Sequence, residues 1–428
     1  MGHSSTGPIP SARFLEPAVA RMVCDLVGTP AYVYDEATLV DRARRTLAFP
    51  NAFGLTVRYA MKACPNRNIM ALFSREGLQV DASSVWEVER AVRAGVAAGK
   101  ISLSTQELGG GFEDWVRKGL KVNACSLDQI DRYGRAFPGA EIGLRVNPGL
   151  GSGGTTKTNV GGPASSFGIW FELLDQADEI LRRHRLKVVR IHSHIGSGSD
   201  PEVWVRAASL TLDQVRRFPS VTVLNLGGGF KVARMPDEKA TDLQKVGQPV
   251  RELLEAFASE TGRRLHFEIE PGTFLTANAG AVLTTIQDMT TTGADGYVFL
   301  KLDTGMTEVT RPSLYGSRHP MTVVPAEGSG PRGQGSYIAV GHCCESGDLL
   351  TTRDGDPSVL EARTLTEARI GDLLVIDGAG AYCAAMSTKN YNSFPEAPEV
   401  LIRESGEPVV IRRRQSMDQI LANEVAVI

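Results

Sequence analysis

The chain of 428 residues has a formal net charge of −3, with 42% hydrophobic and 22% charged residues. This balance is typical of a globular protein of about two domains and shows no basic excess for nucleic acid. No run of about 18 apolar residues indicates a membrane span, and no N-terminal apolar segment indicates a secretory signal. The six cysteines form no C-x-x-C pair, which favours free thiols. We therefore expect a cytoplasmic protein without nucleic-acid or membrane partners.

Short apolar and β-branched runs alternate with amphipathic stretches in the first two thirds of the chain. Continuous apolarity is typical of strands buried on both faces, and "SVWEVERAVRAGV" has helical spacing. Eight such strand–helix units predict an α/β fold, a (β/α)8 TIM-like barrel, with a doubly wound open sheet as the alternative. The eight strand candidates are "VRYAMKA", "LQVDASS", "KISLSTQ", "KVNACSL", "EIGLRVNPG", "LKVVRIHSHIG", "VTVLNLGGG" and "RLHFEIEPG".

Beyond Ala281 the pattern becomes β-rich, with Gly, Pro and Asp between strands. The strand candidates there are "GYVFLKLD", "YIAVGHCCESG", "DLLVIDGAGAY" and "PVVIRRRQ", and a helix is expected only at "SMDQILANE". The early strand "AYVYD" is expected to pair with this region. We predict a barrel domain over residues 36–280 and a β-rich domain, a β-sandwich or barrel, formed by residues 1–35 and 281–428.

Polar residues stand where the predicted barrel strands run into their loops. In a barrel these strand ends converge on one mouth, where active sites lie. A poorly solvated lysine at such a place has a lowered pKa and can act as a nucleophile, although a lone lysine more often keeps its ammonium in water. The residues are Lys62, Asp81, Asn147, His194, Gly227 to Gly229 and Glu270.

Three of these features together indicate a cofactor. Gly227 to Gly229 allow backbone N–H groups to approach an anion, with a tight turn as the alternative. Glu270 ends an apolar strand, where a carboxylate either pairs with a core cation or binds a protonated ring nitrogen. A lysine, anion-binding glycines and an acidic partner for a ring nitrogen are what pyridoxal 5'-phosphate requires. We therefore expect this cofactor, with Lys62 at its centre.

The segment "IHSHIGSGSD" carries His192 and His194. Two histidines at this spacing are also compatible with a zinc pair or with core packing. Zinc needs a third ligand, and no other histidine is patterned toward these two. We therefore expect no metal, and assign His194 to stacking on the cofactor ring and Ser197 to its phosphate.

The segment "GHCCESGD" places Cys344 and Glu345 in a glycine-bracketed turn. A free cysteine is usually a buried small hydrophobe, but a thiol with a pKa of about 8 to 9 can also protonate a carbanion. Arg311, Tyr315 and Tyr382 are candidates for carboxylate and phosphate contacts, because the arginine fork binds both oxygens of a carboxylate.

The order Y-A-x-K, H-x-H-I-G-S-G, G-G-G, E-P-G, C-E-S-G-D and G-A-Y resembles the alanine-racemase-like, fold type III pyridoxal phosphate decarboxylases, specifically the bacterial diaminopimelate decarboxylases. The resemblance extends from about Pro30 to Gln415. It implies decarboxylation of meso-2,6-diaminopimelate to L-lysine and CO2, the last step of lysine biosynthesis. It also implies a homodimer in which the C-E-S-G-D loop of one copy completes the active site of the other.

The resemblance also implies residue roles. Lys62 would hold the cofactor as a Schiff base, His194 would stack on the ring, Glu270 would pair with the ring nitrogen, and Cys344 would help protonate the product; these four are the implied catalytic residues. The implied cofactor-binding residues are Lys62, Asp81, His194, Ser197, Gly227, Gly228, Gly229, Glu270, Gly272, Thr273 and Tyr382. The implied substrate-binding residues are Arg311, Tyr315, Glu345 and Tyr382.

The sequence departs from the family pattern at one position. The usual E-P-G-R is E-P-G-T here, so Thr273 replaces an arginine that binds the substrate's distal carboxylate or the phosphate. The loss removes a charge-assisted bond of about 1.5 to 3 kcal/mol unless another group replaces it. Arg311 remains, and Arg318 or Lys389 could compensate.

This departure leaves alternatives open. A decarboxylase of D-lysine or D-ornithine, which have no distal carboxylate, is one. The retained Arg311, Tyr315 and Glu345 favour meso-diaminopimelate. An alanine-racemase-like isomerase would not be expected to carry C-E-S-G-D, and intact Lys62, Glu270 and Cys344 argue against an inactive, cofactor-binding homologue.

Overall fold

The computed structural model describes residues 11–150, 161–194 and 200–427. The chain forms two compact units. The barrel unit consists of residues 40–232 and 239–275, and all remaining residues form the β-rich unit. Among the described residues, no helix is long and apolar enough to cross a bilayer.

The elements of the described residues are numbered in chain order. The helices are α1 Pro17–Val27, α2 Glu36–Leu47, α3 Arg67–Arg75, α4 Val85–Arg93, α5 Phe112–Arg117, α6 Leu127–Ala136, α7 Leu174–His184, α8 Pro201–Arg217, α9 Leu243–Thr261, α10 Thr273–Thr276, α11 Arg311–Tyr315 and α12 Met417–Leu421. The strands are β1 Ala31–Asp35, β2 Leu55–Ala60, β3 Gln79–Ala82, β4 Ile101–Ser104, β5 Lys121–Ala124, β6 Glu141–Asn147, β7 Ile169–Trp170, β8 Lys187–His192, β9 Val223–Asn225, β10 His266–Ile269, β11 Gly280–Thr291, β12 Val298–Leu302, β13 Met321–Val324, β14 Gln334–Val340, β15 Thr352–Arg353, β16 Asp356–Leu360, β17 Arg363–Thr366, β18 Leu373–Ile376, β19 Glu399–Ile402 and β20 Pro408–Arg412.

The barrel unit is a closed ring of parallel strands in the order β2-β3-β4-β5-β6-β8-β9-β10, with β10 pairing back to β2. Each of the eight predicted strand segments overlaps one of these strands, so the predicted TIM-like barrel is confirmed and the open sheet is wrong. All four residues of β4 are buried, as expected for a strand covered on both faces.

Short polar side chains begin the helices that follow the barrel strands. Ser84 Oγ accepts a hydrogen bond from Glu87 N at 3.1 Å at the start of α4. Asn66 and Ser126 cap α3 and α6 in the same way. Such caps satisfy backbone N–H groups that a helix leaves free at its first turn. They fix the point where each chain segment turns away from the barrel mouth.

A buried ion cluster fills part of the barrel interior. Glu268 on β10 accepts hydrogen bonds from Arg58 on β2, at 2.7 and 3.0 Å, and from Arg190 on β8, at 3.0 and 3.4 Å. Burial raises the pKa of Glu268, but the two guanidinium groups outweigh it and hold that pKa at about 2. The carboxylate is therefore ionised and ties three barrel strands together.

The β-rich unit is built on a sheet in the order β17-β14-β12-β11-β1-β19-β20, and β18 pairs with both β11 and β13. Strand β1 runs antiparallel to β11 and parallel to β19. The predicted pairing of "AYVYD" with the C-terminal region is therefore confirmed. Buried residues such as Val33, Leu283, Val375 and Val400 form the core of this sheet.

The β-rich unit also includes the short segment Ala233–Glu238, which interrupts the barrel unit in sequence. The segment follows the glycines after β9. The predicted assignment of cofactor binding to residues 36–280, and of site completion to the remainder, stays a prediction.

Candidate active site

A cavity of about 220 Å³ opens in the barrel unit where β2, β3, β8 and β10 end. Four predicted site residues line it, namely Lys62, Asp81, His194 and Glu270. They come from four different strand ends, and the closed barrel brings them together.

Lys62 lies in the single helical turn Met61–Ala63 that follows β2. Its neighbours Met61 and Ala63 are buried, whereas Lys62 itself is half-buried. The two apolar side chains anchor the turn and leave the lysine on the cavity side. This geometry explains why an apolar strand ends on a lysine.

Glu270 is fully buried and bound on both oxygens. Oε1 accepts a hydrogen bond from Asn225 Nδ2 at 2.7 Å, and Oε2 lies 3.3 Å from His192 Nε2 and 3.9 Å from His194 Nδ1. Burial raises the pKa of this carboxyl, but His192, His194 and Lys62 outweigh it, so the pKa lies below its usual range. Glu270 is thus an anion at neutral pH, as a partner of a protonated ring nitrogen must be.

His194 carries no charge at neutral pH. Burial lowers the pKa of its imidazole well below the ordinary value, and Arg145 and Lys62 lower it further. A neutral imidazole at a cavity wall offers a flat face for stacking. His192 is neutral at this pH as well, because burial lowers the pKa of its imidazole.

The backbone of the glycines after β9 lies so close to His194 and Glu270 that a residue with a side chain would not fit. A Cβ at Gly227 would lie 2.6 Å from His194 Nδ1, and one at Gly228 would lie 2.3 Å from the carbonyl oxygen of Glu270. Gly227 and Gly229 have φ values of +69° and +107°, which side chains disfavour. Asn225 Oδ1 accepts from Gly227 N at 2.8 Å and so ties this loop to Glu270.

Asp81 leaves a buried oxygen without a partner. Its Oδ1 has no hydrogen-bond partner among the described residues, and burial, followed by the charge of Glu270, raises the pKa of this carboxyl well above its usual value. An unsatisfied buried acid beside Lys62 indicates a place for a ligand. Together with the lysine and the glycine cradle, it fits pyridoxal phosphate.

The two histidines form a second possible arrangement with Glu270. The ligand atoms of His192, His194 and Glu270 all lie within 4.8 Å of one another, a donor set that suits zinc. The sequence argument considered only histidines as the third ligand and did not weigh Glu270, which comes from a distant strand. The expectation of no metal stays a prediction. The same three residues serve a cofactor ring equally well, with His192 supporting Glu270.

The remaining predicted residues of the barrel unit lie at strand ends as well. Gly272 follows β10. A Cβ at this position would lie 3.2 Å from Ala63 Cβ, in the turn that carries Lys62. Thr273 begins α10. Ser197 lies outside the described residues.

The β-rich unit carries the other predicted residues. Arg311 and Tyr315 lie on α11, with the guanidinium 5.6 Å from the tyrosine ring centroid. Tyr382 has a φ of +55°, an uncommon conformation for a side chain that is often found at functional sites.

The C-E-S-G-D turn exposes Cys344 and Glu345. Asp348 fixes the turn, because its carboxylate accepts hydrogen bonds from Met306 N at 2.6 Å and Cys343 N at 2.9 Å. The neighbouring Cys343 is buried, and burial together with Asp348 raises its pKa to about 12. Cys344 is therefore the accessible thiol of the pair.

Sequence reasoning missed several residues of the cavity. Asn225 was read as part of a strand, although an asparagine in a buried parallel strand is itself a signal. Arg145 and Phe167 line the cavity, with the guanidinium 4.9 Å from the phenyl centroid. Arg145 is only 7% exposed, and a buried charge in "LRVN" could have indicated the site.

Comparisons with known proteins agree with this geometry. Residues 39–277 match the family described as pyridoxal-dependent decarboxylase, pyridoxal binding domain. The chain is 36% identical to the diaminopimelate decarboxylase of Escherichia coli K12, over 93% of this chain and 94% of that protein. It is also 36% identical to the same enzyme of Streptomyces coelicolor, over 93% and 90%. A crystal structure of a diaminopimelate decarboxylase superposes with a TM-score of 0.86 at 34% identity, covering 94% of this chain and 95% of that one.

Proposed function

The chain belongs to the pyridoxal-dependent decarboxylase family, and we propose that it removes CO2 from meso-2,6-diaminopimelate to give L-lysine. It is a decarboxylase whose cofactor is pyridoxal phosphate. The observation that supports the proposal best is the meeting of Lys62, Glu270 and the glycines Gly227 to Gly229 at one barrel mouth. The relatives of similar length that bear this name support the substrate.

When bound, pyridoxal phosphate supplies an electron sink for the carbon that loses CO2. Lys62 would hold the cofactor through its side-chain amine. Glu270, kept ionised by His192 and Asn225, would pair with the ring nitrogen and favour its protonated form. His194 would cover the ring face as a neutral imidazole, so it would add no positive charge near that nitrogen.

Backbone N–H groups of Gly227 to Gly229, with Ser197, Gly272, Thr273 and Tyr382, bind the phosphate. Asp81 lies beside Lys62 and is the remaining cofactor contact. Arg311, Tyr315, Tyr382 and Glu345 bind the substrate, and the exposed Cys344 thiol delivers a proton to the product carbon.

We also propose that the enzyme is a homodimer with shared active sites. Cys344 and Glu345 are exposed on a turn that Asp348 holds rigid, as expected of a loop that reaches into a partner. Six free cysteines fit a reducing compartment, which supports a cytoplasmic location.

A D-lysine or D-ornithine decarboxylase is the second candidate, and Thr273 is the observation that favours it. Neither substrate has a distal carboxylate, so neither needs the arginine that this position lacks.

The test is CO2 release by the cofactor-loaded enzyme with meso-diaminopimelate, D-lysine, D-ornithine and L-lysine offered separately. Lys62→Ala is the control, and loss of the nucleophile is expected to lower turnover by about 10³-fold or more. CO2 and L-lysine in equal amounts from meso-diaminopimelate support the proposal. Turnover of D-lysine or D-ornithine alone refutes meso-diaminopimelate as the substrate. Absence of CO2 release from all four amino acids refutes the proposed decarboxylation.

A further inference from the structure

A short segment of the β-rich unit, residues 390–394, has an unusual backbone. Of the described residues other than glycine, five have a positive φ, and three of these lie within four positions, at Asn390, Asn392 and Ser393. Their φ values are +60°, +48° and +61°. Asparagine enters this left-handed region more readily than most residues, but the conformation still costs free energy at each position. Strain of this kind is concentrated at functional sites.

Two contacts join the 390–394 segment to the C-E-S-G-D turn and the residues just before it. Asn392 Oδ1 accepts a hydrogen bond from the backbone N–H of Cys344 at 2.8 Å. The phenyl ring of Phe394 stacks on the imidazole of His342, with 3.6 Å between the ring centroids and 4° between the ring planes. The segment therefore contacts the backbone of the residue that carries the exposed thiol.

Hydrogen bonds within the β-rich unit fix the shape of the 390–394 segment. Asn390 Nδ2 donates to the carbonyl oxygen of Phe394 at 3.0 Å and to Gln415 Oε1 at 2.6 Å. Ser393 N donates to the carbonyl oxygen of Asn390 at 2.9 Å. These bonds close the segment around Asn392, and its left-handed backbone then directs the side-chain oxygen toward Cys344.

Stability does not explain the bond between Asn392 and Cys344. Both residues are exposed, so water competes for their hydrogen-bonding groups and the bond contributes little to the free energy of unfolding. The left-handed backbone of Asn392 opposes folding. Asp348 already holds the turn through Met306 N and Cys343 N. The bond to Asn392 adds a fixed point at Cys344 itself, where the proposed proton donor lies.

We propose that Asn392 is a positioning residue that holds Cys344 in place for the delivery of its proton. The S–H bond breaks and a C–H bond forms at the product carbon, which leaves a thiolate that water reprotonates. The inference rests on the proposed function, because it requires Cys344 as the proton donor. Asparagine suits this position, since it tolerates the left-handed region and carries an acceptor oxygen.

The experiment is a double-mutant cycle between Asn392→Gly and Cys344→Ala in the cofactor-loaded enzyme. Glycine removes the acceptor oxygen and adopts a φ of +48° without strain, so the variant is expected to fold. Ser393→Gly is the matched control, because Ser393 is also exposed and left-handed but leaves the bond to Cys344 intact. Asn392→Asp keeps an acceptor oxygen and is the conservative variant. The readouts are kcat and KM for meso-diaminopimelate, and hydrogen–deuterium exchange of the Cys344 amide.

Asn392→Gly is expected to lower kcat by about 3- to 10-fold and to leave KM within about twofold, because it misplaces a proton donor without removing a substrate contact. In the Cys344→Ala background the same substitution is expected to have no further effect on kcat, since an absent thiol cannot be misplaced. The Cys344 amide should exchange at least about threefold faster in Asn392→Gly. Asn392→Asp and Ser393→Gly are expected to keep kcat within about twofold of wild type.

An equal fall of kcat in both backgrounds overturns the proposal and leaves Asn392 a structural residue. An unchanged kcat in Asn392→Gly, or an unchanged exchange rate of the Cys344 amide, also overturns it. A wild-type enzyme that releases no CO2 from any of the amino acids refutes the proposed function, and the positioning role falls with it. Absence of coupling between the two substitutions in an active enzyme refutes the positioning role alone, which separates the two failures.

Discussion

Asn225 links the acid and the glycine loop of the site, and its replacement by alanine tests that link. Its Nδ2 donates to Glu270 at 2.7 Å and its Oδ1 accepts from Gly227 N at 2.8 Å. A hydrogen bond to a charged group contributes about 1.5 to 3 kcal/mol and a neutral one about 0.5 to 1.5 kcal/mol. Asn225→Ala therefore removes about 2 to 4 kcal/mol of interaction.

The charged bond also acts on the pKa of Glu270, which lies below its usual range. Removing a donor from a carboxylate raises its pKa, so Glu270 takes up a proton at a higher pH than in wild type. We expect kcat at neutral pH to fall by at least about tenfold. Because the pKa of Glu270 lies below its usual range, this carboxyl stays ionised at neutral pH in the variant as well. We therefore expect the kcat profile between about pH 5 and 9 to keep its shape, and pyridoxal phosphate to bind more weakly in a cofactor titration.

Asn123→Ala is the matched control, because Asn123 is equally buried on β5 and donates to Ser102 and Ser104 at 3.0 Å each. It loses two neutral bonds and is expected to lower stability without weakening the binding of pyridoxal phosphate. If Asn225→Ala binds pyridoxal phosphate as tightly as wild type and keeps its kcat, the role assigned to Asn225 is refuted.

Three further predictions concern other ionisable side chains. Glu268→Ala leaves Arg58 and Arg190 without their acid, and urea unfolding should show a loss of about 3 to 5 kcal/mol; a loss below about 1 kcal/mol contradicts the ion cluster. Cys344→Ala should lower kcat by at least about tenfold, whereas Cys343→Ala should lower the unfolding midpoint and leave kcat unchanged; steady-state kinetics of both variants decide between them. Burial raises the pKa of Glu308 to about 7, so its ionisation destabilises the fold as pH rises from the unfolded value near 4.3 toward 7. The free energy of unfolding of Glu308→Gln should therefore exceed that of wild type by about 1 to 3 kcal/mol at pH 8 and equal it at pH 4. If the variant and wild type have equal unfolding midpoints at both pH values, the sign of this effect is contradicted.

The fold could be predicted because the pattern repeats. Each barrel strand is short, apolar and followed by a cap such as Ser84 or Ser126, so eight local signals agree. The pairing of β1 with β11 and β19 followed from an isolated apolar run that has no place in the barrel. Lys62, His194 and Glu270 could be predicted because strand ends in a barrel share one mouth.

Partnerships between distant residues could not be predicted. Only the order of the strands brings Glu270 close to Asn225. The same strand order brings Glu270, the third potential zinc ligand, close to His192 and His194. Arg234 follows the glycine loop and has no local pattern that marks it as buried. It is 8% exposed, and its Nε donates to the carbonyl oxygen of Gly378, which lies 144 positions further along the chain.

The most direct test of the account is a competition between meso-diaminopimelate and D-lysine at equal concentration in one reaction with the cofactor-loaded enzyme. The ratio of L-lysine to 1,5-diaminopentane formed gives the ratio of the two kcat/KM values. The account predicts L-lysine in large excess, because the retained Arg311, Tyr315 and Glu345 favour meso-diaminopimelate. An excess of 1,5-diaminopentane would contradict it and would make Thr273 the mark of a different substrate.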